Sequence, residues 1–457
     1  MPARSKFIVV ANRLPAHRVG EGKSFTWRRS PGGLVSAMEP VLQQHGGVWV
    51  GWDGAAGRSS RAQSVDNLTL APVGLNRSEI SGYYEGFSNV TIWPLYHDAI
   101  RPPQFHRPWW KDYLEVNKKF AAAAVRHARK GATVWIHDYH LQLVPAMVRQ
   151  LRPDLKIGFF LHIPFPPEEL FAWLPWRSSI LRGLLGADLV SFQTEGNAKN
   201  FARAARQDQQ AEGTDRDLVV KGREVKVRSN PISIDADDFE RLAADRATRE
   251  RAQEIRHALG GRQVILGVDR LDYTKGIPDR LRAFEELLKE KRVSIHDVVM
   301  LQVAVPSRED AAGYHEIRRE VEETVGRING QFSEAGKVAV HYFRRTLDRE
   351  ELAAHYLAAN VMLVTPLRDG MNLVAKEYVA TNSEGMLVLS EFAGAARELR
   401  RALLVNPRDV DALKNTLLQA LKMPEKERRM RMAILRTQVH RHDVFHWAEQ
   451  FLETLNS

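Results

Sequence analysis

One stretch of the chain, residues 365–377, places carboxylates, an amide and a glycine turn between an apolar run and a helical pattern. It reads Thr-Pro-Leu-Arg-Asp-Gly-Met-Asn-Leu-Val-Ala-Lys-Glu and follows the apolar run at residues 361–366. A strand, a turn at Gly370 and then a helix are predicted, so that backbone amides at the start of the helix face an anion. Asp369 and Glu377 are eight residues apart, about 12 Å of helix rise. This distance lets one carboxylate hold a hexose while the other holds a ribose across a diphosphate.

Cations follow two other predicted strands. Arg270 and Lys275, with a turn glycine after them, come behind the apolar run at residues 263–268. Arg308 comes behind the run at residues 298–304. An arginine offers a planar fork of donors and a lysine a compact charge, and together they suit a diphosphate. Each cation alone could be an ordinary surface charge, but their shared position at strand ends favours an anion site.

A polar cluster, His-Asp-Tyr-His, stands at the end of another predicted strand. It contains His137, Asp138 and His140, and the next strand, residues 156–162, ends in His162. Consecutive residues at a strand end point in different directions, so a metal site made of His137, Asp138 and His140 is disfavoured. Asp138 binding sugar hydroxyls is the favoured interpretation. A lone histidine is usually structural, but ligands of open α/β sheets bind at the carboxyl ends of strands, so His162 is expected at the same cleft.

The N-terminal part carries weaker signals. Residues 7–11 form an apolar run before Arg13, and Gly33 lies in a Ser-Pro-Gly-Gly-Leu stretch that opens a helical pattern. Glycines let backbone amides approach a phosphate, although such a stretch is more often a plain turn. Aromatic residues at 83–87 and 92–97, predicted to be loop and short strand, could stack on sugar rings or pack in the core.

Apolar β-branched runs alternate with amphipathic stretches, which is typical of parallel α/β sheets. Strands are predicted at residues 7–11, 48–52, 133–137, 156–162, 189–193, 225–228, 263–268, 298–304, 338–342, 361–366, 386–390 and 403–405. Helices are predicted at residues 141–151, 278–289, 349–359, 410–421 and 440–455. A proline-containing segment, residues 229–235, marks a boundary between two Rossmann-like halves that face each other across a cleft. Asp235-Ala-Asp237 mimics a metal-binding Asp-x-Asp sequence, but it lies in this linker, so no metal is expected there.

Composition narrows the class of protein. The chain has 457 residues, 44% hydrophobic and 27% charged, which suits a globular protein of two to four domains. It has no cysteine, which excludes disulfides, thiolate metal sites and thiol nucleophiles. A net charge of +10 suits a protein that binds nucleic acid, an anionic membrane or phosphorylated substrates. The chain contains no run of five or more Lys or Arg residues, which disfavours binding to nucleic acid. No apolar run is long enough for a membrane span or a signal peptide, so a cytoplasmic protein is predicted.

Together these motifs resemble the trehalose-6-phosphate synthase family of retaining GT-B glycosyltransferases, and the resemblance covers essentially the whole chain. The motifs that carry it are Asn12-Arg13, Gly51-Trp52, Tyr83-Tyr84, Trp93-Pro94, residues 136–140, 160–166, 270–276, 368–377 and 390–394, and Asn406-Pro407. The implied fold is α/β of the GT-B type, with two Rossmann-like domains. Residues 1–232, joined by a C-terminal helix at 440–457, would bind the acceptor, and residues 233–439 would bind the sugar nucleotide.

The resemblance also implies a substrate set and roles for individual residues. Nucleotide-diphosphate glucose and glucose-6-phosphate would be the substrates. The glucose-6-phosphate site would comprise Arg13, Tyr84, Trp93, Asp138 and Arg308. The nucleotide-sugar site would comprise Gly33, His162, Arg270, Lys275, Asp369, Met371, Asn372, Leu373 and Glu377. Catalytic roles would fall to Asp138, His162, Arg270, Lys275 and Asp369.

Several points beyond these roles follow from the resemblance or stay open. It implies front-face substitution without a metal or other cofactor and without nucleic-acid or membrane partners, and it allows a homo-oligomer, either a dimer or a tetramer. A related synthase with another acceptor, such as one making glucosylglycerol-phosphate or coupling cyclitols, is an alternative, and a non-enzymatic sugar-phosphate sensor is a second. The donor base could be uracil, guanine or adenine.

Overall fold

The computed structural model describes residues 4–19, 26–29, 35, 37–39, 41–42, 46–57, 62–65, 68–306 and 312–457. The chain divides into two compact units. Unit 1 comprises Met1–Ile232 and Val444–Ser457, and unit 2 comprises Ser233–Asp443. Within the described residues, no helix is both long and apolar enough to cross a bilayer.

Unit 1 is built on a ten-stranded sheet. Its strands, together with a separate hairpin of β2 and β3, are β1 (Ser5–Arg13), β2 (Ala16–Val19), β3 (Thr26–Arg29), β4 (Val48–Trp52), β5 (Gln63–Val65), β6 (Leu68–Pro72), β7 (Ala128–His137), β8 (Lys156–Phe160), β9 (Leu189–Phe192), β10 (Glu212–Gly213), β11 (Asp217–Val220) and β12 (Arg223–Ser229). The order is β10-β11-β12-β9-β8-β7-β1-β4-β6-β5, and all pairs from β12 to β6 are parallel. Strand β1 is buried from Phe7 to Asn12, as expected for a central parallel strand covered on both faces.

Unit 2 is built on a six-stranded sheet in which every neighbouring pair is parallel. Its strands are β13 (Gln263–Arg270), β14 (Val298–Val305), β15 (Val340–Phe343), β16 (Val361–Val364), β17 (Met386–Ser390) and β18 (Leu403–Val405). The order β15-β14-β13-β16-β17-β18 is the 3-2-1-4-5-6 arrangement of a Rossmann sheet. The predicted parallel α/β architecture of two sheets is therefore confirmed.

Helices connect the strands of both sheets. The α-helices are α1 (Arg77–Glu79), α2 (Trp93–Tyr96), α3 (Arg107–His127), α4 (Val144–Leu151), α5 (Glu168–Phe171), α6 (Arg177–Leu184), α7 (Glu195–Gln209), α8 (Ala236–Ala244), α9 (Arg246–Ala258), α10 (Ile277–Lys289), α11 (Ala312–Phe332), α12 (Arg349–Ala358), α13 (Leu373–Thr381), α14 (Val410–Leu421), α15 (Glu425–Arg441) and α16 (Val444–Asn456). The predicted C-terminal helix begins later than expected, because residues 440 and 441 still belong to α15.

The C-terminal helix α16 packs on the sheet of unit 1. The ring of Phe451 stacks on Trp135 of β7 with 4.2 Å between centroids and an interplanar angle of 12°. Gly158 of β8 admits this ring, since a Cβ there would lie 2.7 Å from Phe451. Asn230 donates to the backbone carbonyl of Trp447 at 3.1 Å. Apolar stacking thus returns the end of the chain to the first unit.

Residues 80–96 correct a prediction. The aromatic and β-branched composition suggested loop and short strand, but Ile80–Ile92 forms a π-helix that continues into α2. A capping box starts the helical segment: Asn76 Oδ1 accepts from the backbone N–H of Glu79, and Glu79 Oε2 accepts from that of Asn76, both at 2.9 Å. The cap satisfies amides at the helix start.

Two glycines let this helical segment pack closely on α3. A Cβ on Gly82 would overlap the carboxylate of Asp112, and a Cβ on Gly86 would lie 2.5 Å from the ring of Trp109. The buried ring of Phe87 lies 4.4 Å from that of Tyr113. Tertiary packing against α3 therefore outweighs the strand propensity of the individual residues.

Candidate active site

Each sheet has one point at which its strand order reverses. In unit 1 this point lies between β1 and β7, and in unit 2 between β13 and β16. Ligands of open α/β sheets bind outside the carboxyl ends of the strands at such points. Arg13 ends β1 and Asp138 follows β7, while Lys275 follows β13 and Asp369 follows β16. Predicted site residues therefore flank the reversal point of both sheets.

Arg13 is held against the end of β4 in unit 1. Its guanidinium carbon lies 4.4 Å from the centroid of the Trp52 ring. That ring is fixed in turn, because its Nε1 donates to the carbonyl of Ala55 at 2.8 Å. Gly54, with a φ of 90°, closes the other side, and a Cβ there would lie 2.7 Å from Arg13 Nη2. Burial lowers the pKa of the Arg13 guanidinium, and a guanidinium held in this way on an aromatic ring is preorganised to bind a phosphate.

A series of aromatic rings continues from Trp52. Tyr84 meets Trp52 edge-on at 5.7 Å and stacks on His140 at 5.9 Å. His140 lies 3.8 Å from the ring of Tyr139, which lies 5.7 Å from that of Trp93. Tyr84 is partly exposed, whereas Trp93 is only 3% exposed. Tyr84 can therefore contact a ligand directly, while Trp93 supports the other rings.

Asp138 has a backbone conformation that residues with a Cβ rarely adopt, with φ 74° and ψ 168°. This region is nearly restricted to glycine and costs about 1–3 kcal/mol, and such residues cluster at functional sites. The partly exposed carboxylate accepts the backbone N–H of His162 through Oδ1 at 3.2 Å. Asp138 is thus fixed to the end of the neighbouring strand.

His162 rests on a second histidine. Its Nε2 lies 3.1 Å from Nδ1 of His137, which is completely buried. Burial lowers the pKa of His162 to about 3 and the pKa of His137 well below its ordinary value. Both rings are therefore neutral at physiological pH. His137 faces His162, whereas His140 stacks on Tyr84. The imidazoles of His137 and His140 therefore point apart.

In unit 2 the two predicted ligand-binding charges pair with each other. Lys275 Nζ lies 2.6 Å from Asp369 Oδ2, and Asn372 Nδ2 donates to the same oxygen at 3.1 Å. Lys275 is only 7% exposed. The loops that carry them are also joined, because the backbone N–H of Leu367 donates to the carbonyl of Thr274 at 2.7 Å. The diphosphate cation and the glucose carboxylate expected from the sequence are thus one ion pair.

A fully buried arginine holds this ion pair in place. Arg280 donates from Nη1 to Asp269 Oδ2 at 2.6 Å and from Nε to Thr365 Oγ1 at 3.0 Å. Its Nη2 donates to the backbone carbonyl of Lys275 at 2.9 Å. Arg280 therefore ties the ends of β13 and β16 to the loop that carries Lys275.

The turn before α13 is fixed by the loop that follows β17. The backbone N–H of Ala395 donates to the carbonyl of Met371 at 3.0 Å, and a Cβ on Gly394 would overlap the carbonyl of Gly370. Asn372, with a φ of 99°, caps the helix by accepting the backbone N–H of Ala375 at 3.1 Å. Met371 and Asn372 are buried and Leu373 is partly exposed. These three residues lead into the positive end of the helix dipole.

Glu377 lies on α13 and is held by a tyrosine of α12. The hydroxyl of Tyr356 donates to Glu377 Oε2 at 2.8 Å. Burial raises the pKa of both side chains. The carboxylate is partly exposed and keeps a fixed orientation.

Of three further residues predicted to bind phosphate, the structure describes one. Arg270 is exposed at the last position of β13. Gly33 and Arg308 lie outside the described residues. The structure therefore describes four of the side chains predicted to bind phosphate, those of Arg13, Tyr84, Arg270 and Lys275.

One group of described side chains has the geometry to hold a metal ion. The ligand atoms of Asp237, Glu240 and His440 lie within 4.8 Å of one another on α8 and α15. Asp237 and Glu240 are exposed, and Arg436 pairs with Glu240 at 2.8 Å. Asp235, the other carboxylate of the Asp-x-Asp sequence, instead caps α8 by accepting the backbone N–H of Asp238. The group lies on helices, away from the strand ends that carry the other candidate residues.

The side chains that hold the candidate site residues in place were not identified from the sequence. Trp52 entered only as part of a motif, and Arg280 and Tyr356 were not singled out. Arg280 did carry a signal, since it lies four residues before Phe284 on the apolar stripe of α10, where a charge needs a buried partner. Tyr356 carried none, because its partner is distant in sequence.

The family model described as glycosyltransferase family 20 matches residues 5–457. The chain belongs to glycosyltransferase family 20. A relative named trehalose-6-phosphate synthase from Mycolicibacterium gilvum is 52% identical over 100% of this chain and 94% of its own length. The family assignment makes the protein an enzyme, a glycosyltransferase.

Two solved structures extend the comparison of this family 20 enzyme. An alpha,alpha-trehalose-phosphate synthase (UDP-forming) from Burkholderia vietnamiensis is 37% identical, with a TM-score of 0.92, over 100% of this chain and 98% of that one. One from Burkholderia xenovorans, in complex with glucose-6-phosphate, is 35% identical, with a TM-score of 0.92, over 99% and 100%. The fold likeness thus spans both units of the family 20 chain.

Proposed function

We propose that the protein transfers glucose from a nucleoside-diphosphate glucose to glucose-6-phosphate, with retention, to give α,α-trehalose-6-phosphate. The bond from the anomeric carbon to the diphosphate breaks, and a bond to the anomeric oxygen of the acceptor forms on the same face. The acceptor proton passes to the departing phosphate oxygen. The names of the relatives in family 20 support this choice of substrates.

The acceptor is assigned to unit 1. Arg13 carries this assignment, because a guanidinium fixed on the Trp52 ring and closed by Gly54 is suited to one planar, bidentate phosphate contact. Tyr84 adds a hydroxyl beside it, and Asp138 offers a carboxylate to sugar hydroxyls. A second arginine, Arg308, is proposed for the same phosphate.

The donor is assigned to unit 2, and His162 is proposed as a further contact of the transferred glucose. Arg270, Lys275 and the start of α13 stabilise negative charge as it develops on the departing diphosphate, as preorganised donors do in other enzymes. Asp369 binds the transferred glucose and Glu377 the ribose. The backbone of Met371, Asn372 and Leu373 is proposed to contact the phosphates, and Gly33 is proposed as a further phosphate contact.

We propose further that the reaction needs no metal, because fixed cations supply the positive charge that a metal would bring. Exhaustive chelation should leave the rate of nucleoside-diphosphate release unchanged. Loss of activity with EDTA that manganese or magnesium restores would refute this part of the proposal.

A donor and acceptor panel tests the function. UDP-, GDP- and ADP-glucose are each incubated with glucose-6-phosphate, glycerol-3-phosphate or glucose, and nucleoside-diphosphate release is measured. We expect the highest kcat/KM with glucose-6-phosphate, and NMR of the product should show a 1,1 linkage with both anomeric centres α. Preference for glycerol-3-phosphate would instead indicate a related synthase, and no release with any acceptor would contradict an enzymatic role. The panel also ranks the donor bases.

A further inference from the structure

His137, the last residue of β7, has no place among the proposed substrate contacts. It is completely buried, and its Nε2 has no hydrogen-bond partner within the described part of the chain. The rings around it are aromatic, with centroids 4.9 Å away in Trp135 and 6.4 Å away in both Phe160 and Trp447. An unpartnered polar atom in such a place destabilises the fold, so packing alone does not explain a histidine here.

The polar contact that His137 does make is with His162, between Nδ1 and Nε2 at 3.1 Å. Because both rings are neutral, one of these two nitrogens carries the hydrogen and the other accepts it. Donation by His162 would leave His137 with a buried N–H at Nε2 and no acceptor. Donation by His137 leaves only a lone pair there, and unpartnered acceptors are tolerated more often than unpartnered N–H groups. Hydrogen-bond accounting thus assigns the hydrogen to His137 Nδ1.

We propose that His137 is a positioning residue that holds His162 in the tautomer with its hydrogen on Nδ1. His162 is partly exposed, and its Nδ1 takes part in no hydrogen bond among the residues that the structure describes. His162 therefore presents a donor N–H to a sugar hydroxyl oxygen and cannot act there as a general base. This inference rests on the proposed function, which places His162 against the transferred glucose, and it adds which atom makes the contact.

Nitrogen-15 NMR of the full-length protein, labelled at its histidines, reads the tautomer directly. Comparison with His162→Gln identifies the His162 signals among the 16 histidines. We expect a protonated Nδ1 and an unprotonated Nε2 for His162 in the unaltered protein. Since this readout needs no substrate, it remains informative even if the proposed reaction is wrong.

Two substitutions of His137 separate positioning from packing. His137→Leu keeps apolar volume but has no donor, and His137→Asn keeps an amide donor near the place of Nδ1. We expect His137→Leu to lose the Nδ1–H preference of His162 and to lower kcat/KM for the donor about tenfold, the value of one net hydrogen bond. His137→Asn should retain the tautomer and at least a fivefold higher kcat/KM than His137→Leu.

His127 provides the matched control. It is also buried and lies immediately before β7, at the end of the strand opposite to His137. His127→Leu should leave the His162 signals unchanged. The inference is overturned if His162 carries its hydrogen on Nε2 in the unaltered protein, a result that needs no variant to fold. It is equally overturned if His137→Leu changes neither the tautomer nor the rate.

Discussion

Unit 1 and unit 2 place candidate residues at the same point of their sheets, but with different chemistry. All ten tryptophans of the chain lie in unit 1, and Arg13 packs on one of them. In unit 2 the cations pair with carboxylates: Lys275 with Asp369, and Arg280 with Asp269, each at 2.6 Å. One topology thus supports two ways of holding a cation, against an aromatic face or within buried ion pairs.

The two arrangements differ in what a substitution should do. Arg13 interacts electrostatically with the buried carboxylate of Asp53 as well as packing on Trp52. A substitution that keeps its positive charge should therefore affect mainly the ligand that it binds. Removal of one partner of a buried ion pair leaves the other charge uncompensated and is strongly destabilising. Unit 2 should therefore respond to substitution with larger effects than unit 1.

The largest effect is expected for Lys275→Ala. It removes a donor beside the departing diphosphate and leaves Asp369 without its partner. Turnover should fall about 100- to 1000-fold, corresponding to about 3–4 kcal/mol for a lost donor to developing charge. Steady-state kinetics with saturating glucose-6-phosphate measure it.

Lys289→Ala is the control for this substitution. Lys289 is 48% exposed and pairs with Glu285, which is also held by Arg327, so removal of Lys289 leaves that carboxylate paired. Its turnover should equal that of the unaltered protein. Turnover of Lys275→Ala within threefold of normal would remove the proposed leaving-group role.

Arg13→Lys should have the next largest effect, in unit 1. It keeps the charge but loses the planar fork and much of the contact with Trp52. The KM for glucose-6-phosphate should rise about 10- to 100-fold, the value of a charge-assisted hydrogen bond of about 1.5–3 kcal/mol. The advantage of glucose-6-phosphate over glucose should shrink with it. Arg4→Ala, immediately before the same strand, should change neither quantity. An undiminished advantage in Arg13→Lys would show that another residue binds the phosphate.

The positions of many strands along the chain could be predicted from local sequence patterns. The predicted strands at 48–52, 386–390 and 403–405 have the same bounds in the structure, because buried parallel strands are short continuous apolar runs. The strand at 68–72 was missed, since Leu-Thr-Leu-Ala-Pro alternates and ends in proline. The helical conformation of residues 80–96 was not predicted, because it is decided by packing against α3, which no local sequence pattern shows.

The candidate residues at strand ends could be predicted for the same local reason. Strand ends are recognisable, so Arg13, Asp138, Lys275 and Asp369 could be named one by one. Pairing could not be: Lys275 and Asp369 are separated by more than ninety residues, and no local pattern joins them. The residues behind them, such as Arg280, act through contacts that only the folded chain creates.

Acidification should weaken unit 1 through His137. Its pKa is well below the ordinary 6.5 in the folded protein, so below about pH 6.5 the unfolded chain binds a proton that the folded chain does not. The contribution of neutral His137 to the free energy of unfolding is therefore complete above that pH, and the free energy of unfolding decreases as the pH falls below it. From pH 7.5 to pH 5, the free energy of unfolding should therefore decrease more in the unaltered protein than in His137→Asn.

Tryptophan fluorescence in urea measures this effect in unit 1 alone, because unit 2 contains no tryptophan. His106, exposed at the start of α3, supplies the control. His106→Asn should follow the pH dependence of the unaltered protein. Parallel curves for His137→Asn and the unaltered protein would mean that His137 takes up a proton in the folded state.

The smallest effect concerns backbone strain, which occurs at the end of a strand in unit 1, at Asp138, and at the start of a helix in unit 2, at Asn372. Asp138→Ala and Asp138→Gly both lose the carboxylate that accepts the N–H of His162, but only alanine keeps a Cβ at a φ of 74°. Relief of strain favours the glycine variant by about 1–3 kcal/mol, and the larger entropy of glycine in the unfolded chain offsets about 0.5–1 kcal/mol of this. The glycine variant should therefore unfold with a free energy about 1 kcal/mol higher than that of the alanine variant, measured by tryptophan fluorescence in urea. The same pair of substitutions at Asp154, where φ is not positive, should show no advantage for glycine. Equal stability of Asp138→Ala and Asp138→Gly would mean that the end of β7 relaxes around Asp138, and that unit 1 holds its carboxylate without stored strain.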